Sequence, residues 1–331
     1  MPGAADGYGS ADGPGSREGI GAGGGLGIEG PREVRDARRF SHEAMASVFE
    51  VHGVHPDEPY AAQAAQAAFD LLDRLERELS RFLPNSDIAR VNHLAAGEST
   101  RVSASTLECL VIARHMFDLT GGAFDVSLGR GLPSLELHSD DALVRATKSG
   151  VQIDLGGIGK GYAVDRMAEL LEEWGLELAL VHGGFSSVLA LEPPTGREGW
   201  PLTLSDPSPP SRVLARLSVR QTALGASGLR KGDHIVDPRT GGPVRGRLAA
   251  WVAVPRPETA GAEAPAAAEE GPRVAATAVA DALATAFMLL SPEEIEGLCE
   301  RSPGLEAWIL PEPAGGPHGE THLLHFGGPA G

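Results

Sequence analysis

A glycine-rich stretch in the middle of the chain constrains the fold most. Residues 151–162 have the sequence VQIDLGGIGKGY. Residues 151–155 predict a short buried strand, and from Ala163 apolar residues recur at helical spacing until Gly175, which predicts an amphipathic helix. The four glycines between Leu155 and Tyr162 let backbone groups approach a ligand closely. A phosphate-bearing molecule at the start of this helix would require such a turn.

The turn matches neither of two well-known phosphate-binding patterns. Gly161 follows Lys160 where a P-loop has Ser or Thr, and the spacing of Gly157, Gly159 and Gly161 differs from the dinucleotide-binding fingerprint. Asp154 and Lys160 place opposite charges on either side of the turn. On the chemistry of the turn alone, a tight strand-to-helix connection without a ligand remains an open alternative.

Composition excludes some partners. The formal net charge of -17 over 331 residues argues against nucleic acid or an anionic membrane surface as a partner, because both select basic proteins. Cys109 and Cys299 lie in apolar helical patterns and are predicted to be buried thiols. The longest apolar stretch, residues 274–290, is interrupted by Asp281, so we expect a packed helix and no membrane span.

The chain is expected to form one main domain. Residues 1–38 are rich in Gly, Ala, Ser and Asp, and we predict a disordered tail without a secretory signal, hence a cytoplasmic location. Residues 39–311 are predicted to form an α+β domain whose core is a largely antiparallel sheet covered by helices, with a flexible insertion at 255–273. Residues 312–331 are expected to be an irregular C-terminal tail.

Local patterns predict several further elements. Residues 60–79 have the apolar spacing of an amphipathic helix, and residues 105–108 (STLE) have the sequence of a capping box. We also predict a helix over 140–147, a strand-turn-strand unit over 178–191, and a proline-rich surface connection over 193–212 inside an antiparallel sheet.

Two loops combine polar groups with turn residues. Residues 121–126 (GGAFDV) place an aromatic ring and a carboxylate beside flexible backbone, where a helix C-cap is as good an explanation as a ligand contact. Residues 224–241 contain His234 and Asp237, and Pro238 holds Asp237 in an extended conformation. A lone histidine is more often structural, but this cluster indicates a site loop.

Asp281 and Thr285 are the clearest chemical pair. Their i,i+4 spacing places both oxygens on one face of a helix that is otherwise apolar, where an unpaired carboxylate is costly. A carboxylate and a hydroxyl are hard oxygen ligands of the kind that Mg²⁺ accepts. The alternative is an Asp near the helix N-terminus with a Thr that bonds its own backbone, and the pair alone does not exclude it.

These segments together resemble the ApbE family, the FAD:protein FMN transferases. The resemblance covers roughly residues 40–310, and the matching segments occur in the family's order. They are 45–47 (MAS), 80–88 (SRFLPNSDI), 120–125 (TGGAFD), 154–162 (DLGGIGKGY), 234–241 (HIVDPRTG) and 280–285 (ADALAT).

The resemblance implies a function and a set of site residues. The family uses Mg²⁺ to transfer FMN from FAD to a threonine or serine hydroxyl of an acceptor flavoprotein, and releases AMP. The residues that would contact FAD are Met45, Phe82, Ala123, Phe124, Asp125, Asp154, Lys160 and Ile235. The backbone carbonyl of Gly157, with Asp281 and Thr285, would hold Mg²⁺, and His234 and Asp237 would act near the diphosphate. Two alternatives stay open: an FAD pyrophosphatase, in which water replaces the acceptor, and a non-catalytic FAD-binding or storage protein.

Three departures from the family pattern affect the site. The segment between Val126 and Val151 is short and lacks the usual tryptophan, so one wall of the flavin pocket is expected to differ. Phe185 stands where the family usually has an aspartate, and Ser186 and Ser187 follow it. Gly159 replaces a common alanine, which should not disturb a backbone contact.

Overall fold

A computed structural model describes residues 28–29, 34, 36–207, 212–229, 235–256, 275–313 and 322–328. Within these ranges the chain forms six α-helices and fourteen β-strands. The helices are α1 Glu58–Leu79, α2 Asp87–Asn92, α3 Ala104–Leu119, α4 Gly159–Glu173, α5 Ala276–Ala286 and α6 Pro292–Arg301. The strands are β1 Ile28–Glu29, β2 Arg38–Ala44, β3 Ser47–Gly53, β4 Ser99–Arg101, β5 Leu135–His138, β6 Leu143–Ala146, β7 Ala179–Gly183, β8 Ser187–Ala190, β9 Trp200–Ser205, β10 Val213–Val219, β11 Thr222–Gly228, β12 Arg247–Pro255, β13 Glu306–Pro311 and β14 Leu324–Gly327.

The centre of the molecule is an eight-stranded antiparallel sheet with the order β14-β13-β12-β11-β8-β7-β3-β2. Two smaller sheets accompany it, one formed by β1, β9 and β10 and the other by β4, β5 and β6. All their pairings are antiparallel. The predicted α+β class with a largely antiparallel sheet is therefore confirmed.

The two faces of the large sheet have different covers. Alternate strand residues such as Val51 and Val181 pack against the helices, in a core that includes Leu72 of α1 and Ala280 of α5. The intervening residues form a second core with the apolar side chains of β9. This alternation is the two-residue period of a strand whose two faces are both buried. The large sheet is thus a middle layer between helices and a small sheet.

The two helices that matter most for the site meet at close range. Helix α4 begins within the glycine-rich turn, and α5 begins at Ala276. A Cβ added to Gly161 would lie 2.3 Å from the carbonyl oxygen of Thr277, so only glycine permits this approach. The carboxylate of Asp165 accepts hydrogen bonds from the backbone nitrogens of Thr277 and Ala278, each at 2.9 Å. Helix α5 has no capping side chain of its own. Asp165 of α4 therefore satisfies the free backbone N–H groups at its first turn.

The predicted strand over residues 151–155 is wrong. Residues 151–154 have no regular structure and Leu155–Gly157 is a single 3₁₀ turn. Val151, Ile153 and Leu155 do alternate into the core. The backbone of this segment makes individual hydrogen bonds and does not pair with a neighbouring strand. The side chain of Asn92 bonds both N and O of Ile153, and Asp154 N donates to the carbonyl of Val126.

The predicted helix over 140–147 is also wrong. Residues 143–146 form β6, which pairs with β4 and β5, and its Val144 and Ala146 alternate inward. The capping box over 105–108 is absent, because Ser103 caps α3 and its hydroxyl accepts from Thr106 N at 3.1 Å. The connection over 193–212 contains β9.

Other elements follow the expectations closely. The helix predicted over 60–79 is α1, and the predicted strand-turn-strand unit is the β7–β8 hairpin. Cys109 and Cys299 are free and buried. Most of the tail at 1–38 and of the insertion at 255–273 lies outside the described residues, while β14 adds an edge strand within 312–331. No helix among the described residues has the length and apolar character needed to cross a membrane.

Candidate active site

A cleft of about 620 Å³ opens beside the start of α4. Its walls come from the β2–β3 turn, the segment after α3, the glycine-rich turn, the β7–β8 turn, the end of β11, the segment after residue 234, and α5. The predicted site residues on its wall are Met45, Ala123, Phe124, Asp125, Asp154, Gly157, Lys160, Ile235, Asp281 and Thr285. The structure thus brings together ten of the thirteen residues that the sequence nominated.

Asp281 is the most unusual group in this cleft. Its side chain is 5% exposed, and its Oδ2 accepts hydrogen bonds from Gly161 N at 2.9 Å and from Ser187 Oγ at 2.8 Å. Its Oδ1 is buried and has no hydrogen-bond partner in the described part of the chain. Burial raises the pKa of Asp281 to about 7, while the charge of Lys160 and the bonds from Ser187 and Gly161 oppose this increase.

Thr285 lies one helical turn after Asp281. Its hydroxyl donates to the carbonyl oxygen of Asp281 at 3.2 Å and is 2.9 Å from Ser227 Oγ. A Cβ built on Gly157 would be 3.9 Å from Thr285 Oγ1 and 3.2 Å from the ring of Phe124, so the backbone of Gly157 passes close to both. The glycine therefore brings its peptide group to the same corner as the carboxylate and the hydroxyl.

This corner suits a hard divalent cation. A buried carboxylate oxygen without a partner is costly, and a coordinated ion removes that cost. The available donors are a carboxylate, a hydroxyl and a peptide carbonyl, and Mg²⁺ commonly completes such a set with substrate phosphate and water. Clusters of three or more His, Cys, Asp or Glu suited to a metal are absent from the described ranges, and the Asp281 corner has only one carboxylate.

Two tight turns with left-handed backbone lie side by side at the cleft. Met45 and Ala46 have φ of 49° and 54°, and Gly184 and Phe185 have φ of 63° and 61°. A Cβ on Gly184 would fall 1.9 Å from Ser47 Oγ, so the two turns are packed too closely for any other residue there. Consecutive non-glycine residues in this region cost free energy, and such strain is found mainly at functional sites.

Lys160 and Arg81 supply the positive charge of the cleft. Both line it, and Arg81 pairs with Asp154 at 2.9 Å. Asp154 also accepts from Gly156 N at 3.0 Å and so begins the 3₁₀ turn. A side lobe that shares these residues reaches Phe82, whose ring is 78% exposed and lies under the guanidinium of Arg81.

Residues 123–126 and Leu128 form another wall of the cleft. Ala123 and Phe124 are buried, and Phe124 lies against Gly157. The carboxylate of Asp125 accepts from Ser127 N and Ser127 Oγ, each at 2.7 Å, and from Gly129 N at 2.8 Å. Asp125 therefore shapes the cleft by holding this loop as well as by lining it.

The last wall is formed by Ile235, Val236 and Pro238, in the segment where the sequence predicts the catalytic residues. Ile235 lines the cleft, whereas His234 lies outside the described residues. Asp237 is not part of the cleft lining, although its neighbours Val236 and Pro238 are. Its carboxylate accepts from Arg239 Nε at 3.0 Å and Nη2 at 3.1 Å, and this pairing lowers its pKa.

Sequence reasoning missed four polar residues at the site. Ser187 and Ser227 contact Asp281 and Thr285, Ser186 lines the cleft, and Arg81 pairs with Asp154. The signal for Arg81 was present, since it lies in the matched segment 80–88. Nothing in a strand sequence, in contrast, reveals which helix a buried serine faces 94 positions later in the chain.

Comparison with known proteins identifies the family. A family model described as the ApbE family matches residues 45–133 and 130–273. The chain belongs to the ApbE family. These matches cover five of the six segments that carried the resemblance, and the sixth lies on α5.

Relatives and solved structures agree with this membership. Two proteins named FAD:protein FMN transferase are similar over most of the chain: one from Treponema pallidum (strain Nichols) is 27% identical over 72% of this chain and 74% of its own length, and one from Klebsiella pneumoniae (strain 342) is 24% identical over 71% and 73%. A third, from Vibrio cholerae, is 25% identical, and the match spans 62% of its length.

Two solved structures share the fold. The flavin transferase ApbE from Vibrio cholerae superposes with a TM-score of 0.71 at 19% identity, covering 88% of this chain and 97% of that one. The ApbE protein from Thermotoga maritima gives a TM-score of 0.69 at 22% identity, covering 83% and 94%. At these identities the superpositions show the architecture.

Proposed function

We propose that this protein is an FAD:protein FMN transferase that uses Mg²⁺, modifies a threonine or serine hydroxyl of an acceptor flavoprotein and releases AMP. The observation that carries the proposal is the buried Oδ1 of Asp281, which has no partner among the described residues and belongs to a residue that lines the same cleft as Lys160. Membership of the ApbE family and the names of its relatives support the reaction class. The cleft volume of about 620 Å³ is within the range of small-molecule sites.

Different residues of the cleft would bind the diphosphate of FAD, its rings and the metal. Lys160 and Arg81 would face the diphosphate of FAD, and the side chains of Phe124, Met45 and Phe82 would provide apolar surface for its rings. The Gly157 carbonyl, the Asp281 carboxylate and the Thr285 hydroxyl would hold the metal. A bound Mg²⁺ would supply Lewis-acid neutralisation of charge on the transferring phosphoryl group and on AMP.

The transfer is a substitution at phosphorus. The acceptor hydroxyl oxygen forms a bond to the FMN-side phosphorus, the bond from that phosphorus to the bridging oxygen breaks, and AMP departs with the bridging oxygen. The hydroxyl proton passes to a base on the segment 234–237, which carries His234 and Asp237. Arg239 keeps the pKa of Asp237 below its ordinary value, which makes the Asp237 carboxylate a weaker proton acceptor than an unpaired aspartate.

The test analyses the products formed with two matched acceptor proteins. Purified protein is incubated with FAD and Mg²⁺, with an acceptor that carries a reactive threonine and with the same acceptor bearing Thr→Val. We expect AMP and covalent flavin only with the intact acceptor. AMP without any acceptor would indicate a pyrophosphatase, and intact FAD throughout would indicate a binding protein.

Asp281→Asn tests the metal assignment within the same assay. It keeps the shape of the side chain and removes the charge, so AMP release should fall by at least roughly 100-fold, more than the usual loss from disturbing a residue behind a ligand. Asp70→Asn removes a carboxylate from the exposed face of α1 and should keep wild-type activity. Equal activity of the two variants would contradict the assignment.

A further inference from the structure

Two serine hydroxyls contact the proposed metal ligands: Ser187 is buried, and Ser227 is half-buried and lines the cleft. Ser187 is in β8 and Ser227 in β11, and these strands are paired with Gly225 opposite Ser187. Ser187 has no exposed surface, so its hydroxyl is accessible only to its protein neighbours. Each serine contacts one of the two side chains on α5 that face the cleft: Ser187 reaches Asp281 at 2.8 Å and Ser227 reaches Thr285 at 2.9 Å.

The hydrogen bonds around Asp281 fix which oxygen remains available. Oδ2 accepts from both Ser187 Oγ and Gly161 N, so the plane and rotation of the carboxylate are determined by two donors on different elements. Oδ1 is the oxygen left without a partner among the described residues. Without the Ser187 hydroxyl, one donor alone would hold the carboxylate, and its rotation about the Cβ–Cγ bond would be less restricted.

A similar logic applies to Thr285. Its hydroxyl lies 3.2 Å from the carbonyl oxygen of Asp281 and 2.9 Å from Ser227 Oγ. When Thr285 donates to that carbonyl, Ser227 is the donor in the contact between the two hydroxyls. A hydroxyl oxygen has two lone pairs, and Ser227 takes one of them. Thr285 lines the same cleft as Asp281, which leaves one lone pair of its hydroxyl for an ion.

We propose that Ser187 and Ser227 are positioning residues for the divalent cation, each orienting one ligand on α5 from the neighbouring sheet. This inference rests on the proposed function, since it requires Asp281 and Thr285 to hold the ion. Groups behind metal ligands commonly orient them in this way, and removing one costs 10–100-fold in affinity as an order of magnitude.

The β7–β8 turn explains how a serine of β8 reaches α5. Phe185 has left-handed backbone and places its ring edge against His182, with ring centroids 5.1 Å apart. The strand resumes at Ser187, which pairs with Gly183. The position where the family resemblance implies an aspartate therefore holds an apolar ring, and the polar contact from this turn to Asp281 comes two residues later.

The experiment measures Mn²⁺ affinity directly, by electron paramagnetic resonance of the free ion, in the full-length protein with and without FAD. Ser187→Ala should weaken Mn²⁺ binding by about 10–100-fold, and Ser227→Ala should weaken it in the same direction. Thr222→Val is the matched control, because it removes a hydroxyl from the far end of β11 whose partner is the Arg220 carbonyl. It should bind Mn²⁺ as the wild type does.

Two additional variants keep the result interpretable. Ser187→Cys preserves most of the side-chain volume, but its thiol is a weak hydrogen-bond donor, so its Mn²⁺ affinity should lie between those of Ser187→Ala and the wild type. This variant replaces Ser187→Ala in the test if Ser187→Ala folds poorly. In the Asp281→Asn background, Ser187→Ala should cause no further loss, because the group that it orients has already lost its charge. A purely structural serine would lower the unfolding temperature in EDTA and leave Mn²⁺ affinity unchanged.

The outcomes separate this inference from the function on which it rests. If Asp281→Asn weakens Mn²⁺ binding and Ser187→Ala does not, the positioning role is wrong and the metal site stands. If Asp281→Asn binds Mn²⁺ as tightly as the wild type, the metal assignment itself is wrong. Absence of saturable Mn²⁺ binding to the wild type, even with FAD, would overturn both.

Discussion

The cleft has one wall built from distant parts of the chain and another built from its own neighbours. On the α4–α5 side, Asp281 bonds to Gly161 and Ser187, which are 120 and 94 positions away. Beside Val236 and Pro238, Asp237 bonds its own neighbour Arg239, and the turn closes through Gly241 N to the Asp237 carbonyl at 2.8 Å. Among the described residues, the one distant bond of this turn is a long one, from Arg239 to the Leu289 carbonyl at 3.5 Å. The first arrangement can be changed only by moving two helices and a strand.

The two walls meet the different requirements of the proposed metal site and of the proposed acceptor protein. A metal ligand must be held within a fraction of an ångström, which favours a rigid wall supported from several elements. An acceptor protein must enter and leave, which favours a wall whose hydrogen bonds are local and partly exposed. The Asp237–Arg239 pair is of the second kind, since the Arg239 side chain is 37% exposed.

The largest difference between the two walls is expected in the free energy of unfolding when a methyl group is added to each of them. In Gly161→Ala the Cβ would meet the Thr277 carbonyl at 2.3 Å, and both partners are helix backbone, so α4 and α5 must separate. We expect a loss of about 3 kcal/mol or more in the free energy of unfolding. Gly241→Ala has φ of 72° but open space around it, and should cost only about 1 kcal/mol.

Denaturant unfolding of the two variants measures this difference. The wild type and both variants are followed by tryptophan fluorescence, which reports on Trp200, Trp251 and Trp308 in the second core. Similar free energies for the two alanine variants would show that the α4–α5 contact tolerates displacement. That result would remove the argument that this wall is the rigid one.

A second comparison concerns the local wall and the role of Asp237. Asp237→Ala should lower FMN transfer by roughly tenfold if its carboxylate takes part in proton transfer. Arg239→Ala is the matched variant, because it removes the partner of the same ion pair and lets the pKa of Asp237 return towards its ordinary value. Its loss should be much smaller, as measured by AMP release under saturating FAD.

Three results of that assay would be informative. Equal losses in both variants would mean that the ion pair shapes the turn and that Asp237 has no role as a base. Full activity of Asp237→Ala, with His234→Ala inactive, would leave the histidine as the base. Full activity of all three folded variants would make the segment structural and move the base elsewhere.

Some of this arrangement was accessible from sequence because its cause is local. The apolar period of α1 and α5 and the i,i+4 relation of Asp281 and Thr285 are properties of short segments, and the structure places them as expected. The alternation in 151–155 is equally local and was misleading, because a strand needs a neighbouring strand and this segment has Asn92 as its partner.

The remaining contacts depend on which elements the fold brings together. The sequence shows a carboxylate in an alanine-rich helix, but Ser187 and Gly161 become its donors only after β8 and α4 pack on α5. The trans cap of α5 by Asp165 has the same origin. Buried polar contacts of this kind are fixed by the tertiary structure, so one sequence could nominate Asp281 without naming its partners.

The smallest expected effect is a difference in the sign of pH dependence between the two walls. Burial raises the pKa of Asp165 from 3.8 to about 6, against the backbone hydrogen bonds from Thr277 and Ala278. The hydrogen bond from Arg239 lowers the pKa of Asp237 below 3.8. The folded protein therefore holds a proton at Asp165 more tightly than the unfolded chain does, and at Asp237 less tightly.

The sign of each contribution follows from this linkage. As pH rises from about 4 to about 6, the unfolded chain loses the Asp165 proton first, so the contribution of Asp165 to stability declines across that window and is constant above it. The contribution of Asp237 is fully present above its ordinary pKa of 3.8 and is lost as pH falls through its lowered value. Urea unfolding of the wild type, Asp165→Asn and Asp237→Asn at a series of pH values from about 2 to about 7.5, which spans both windows, tests both signs. The advantage of the wild type over Asp165→Asn should shrink as pH rises, and its advantage over Asp237→Asn should shrink as pH falls. If the advantage over Asp165→Asn instead shrinks as pH falls, Asp165 is not desolvated as its burial between α4 and α5 requires; if the advantage over Asp237→Asn shrinks as pH rises, the pairing with Arg239 does not lower the pKa of Asp237.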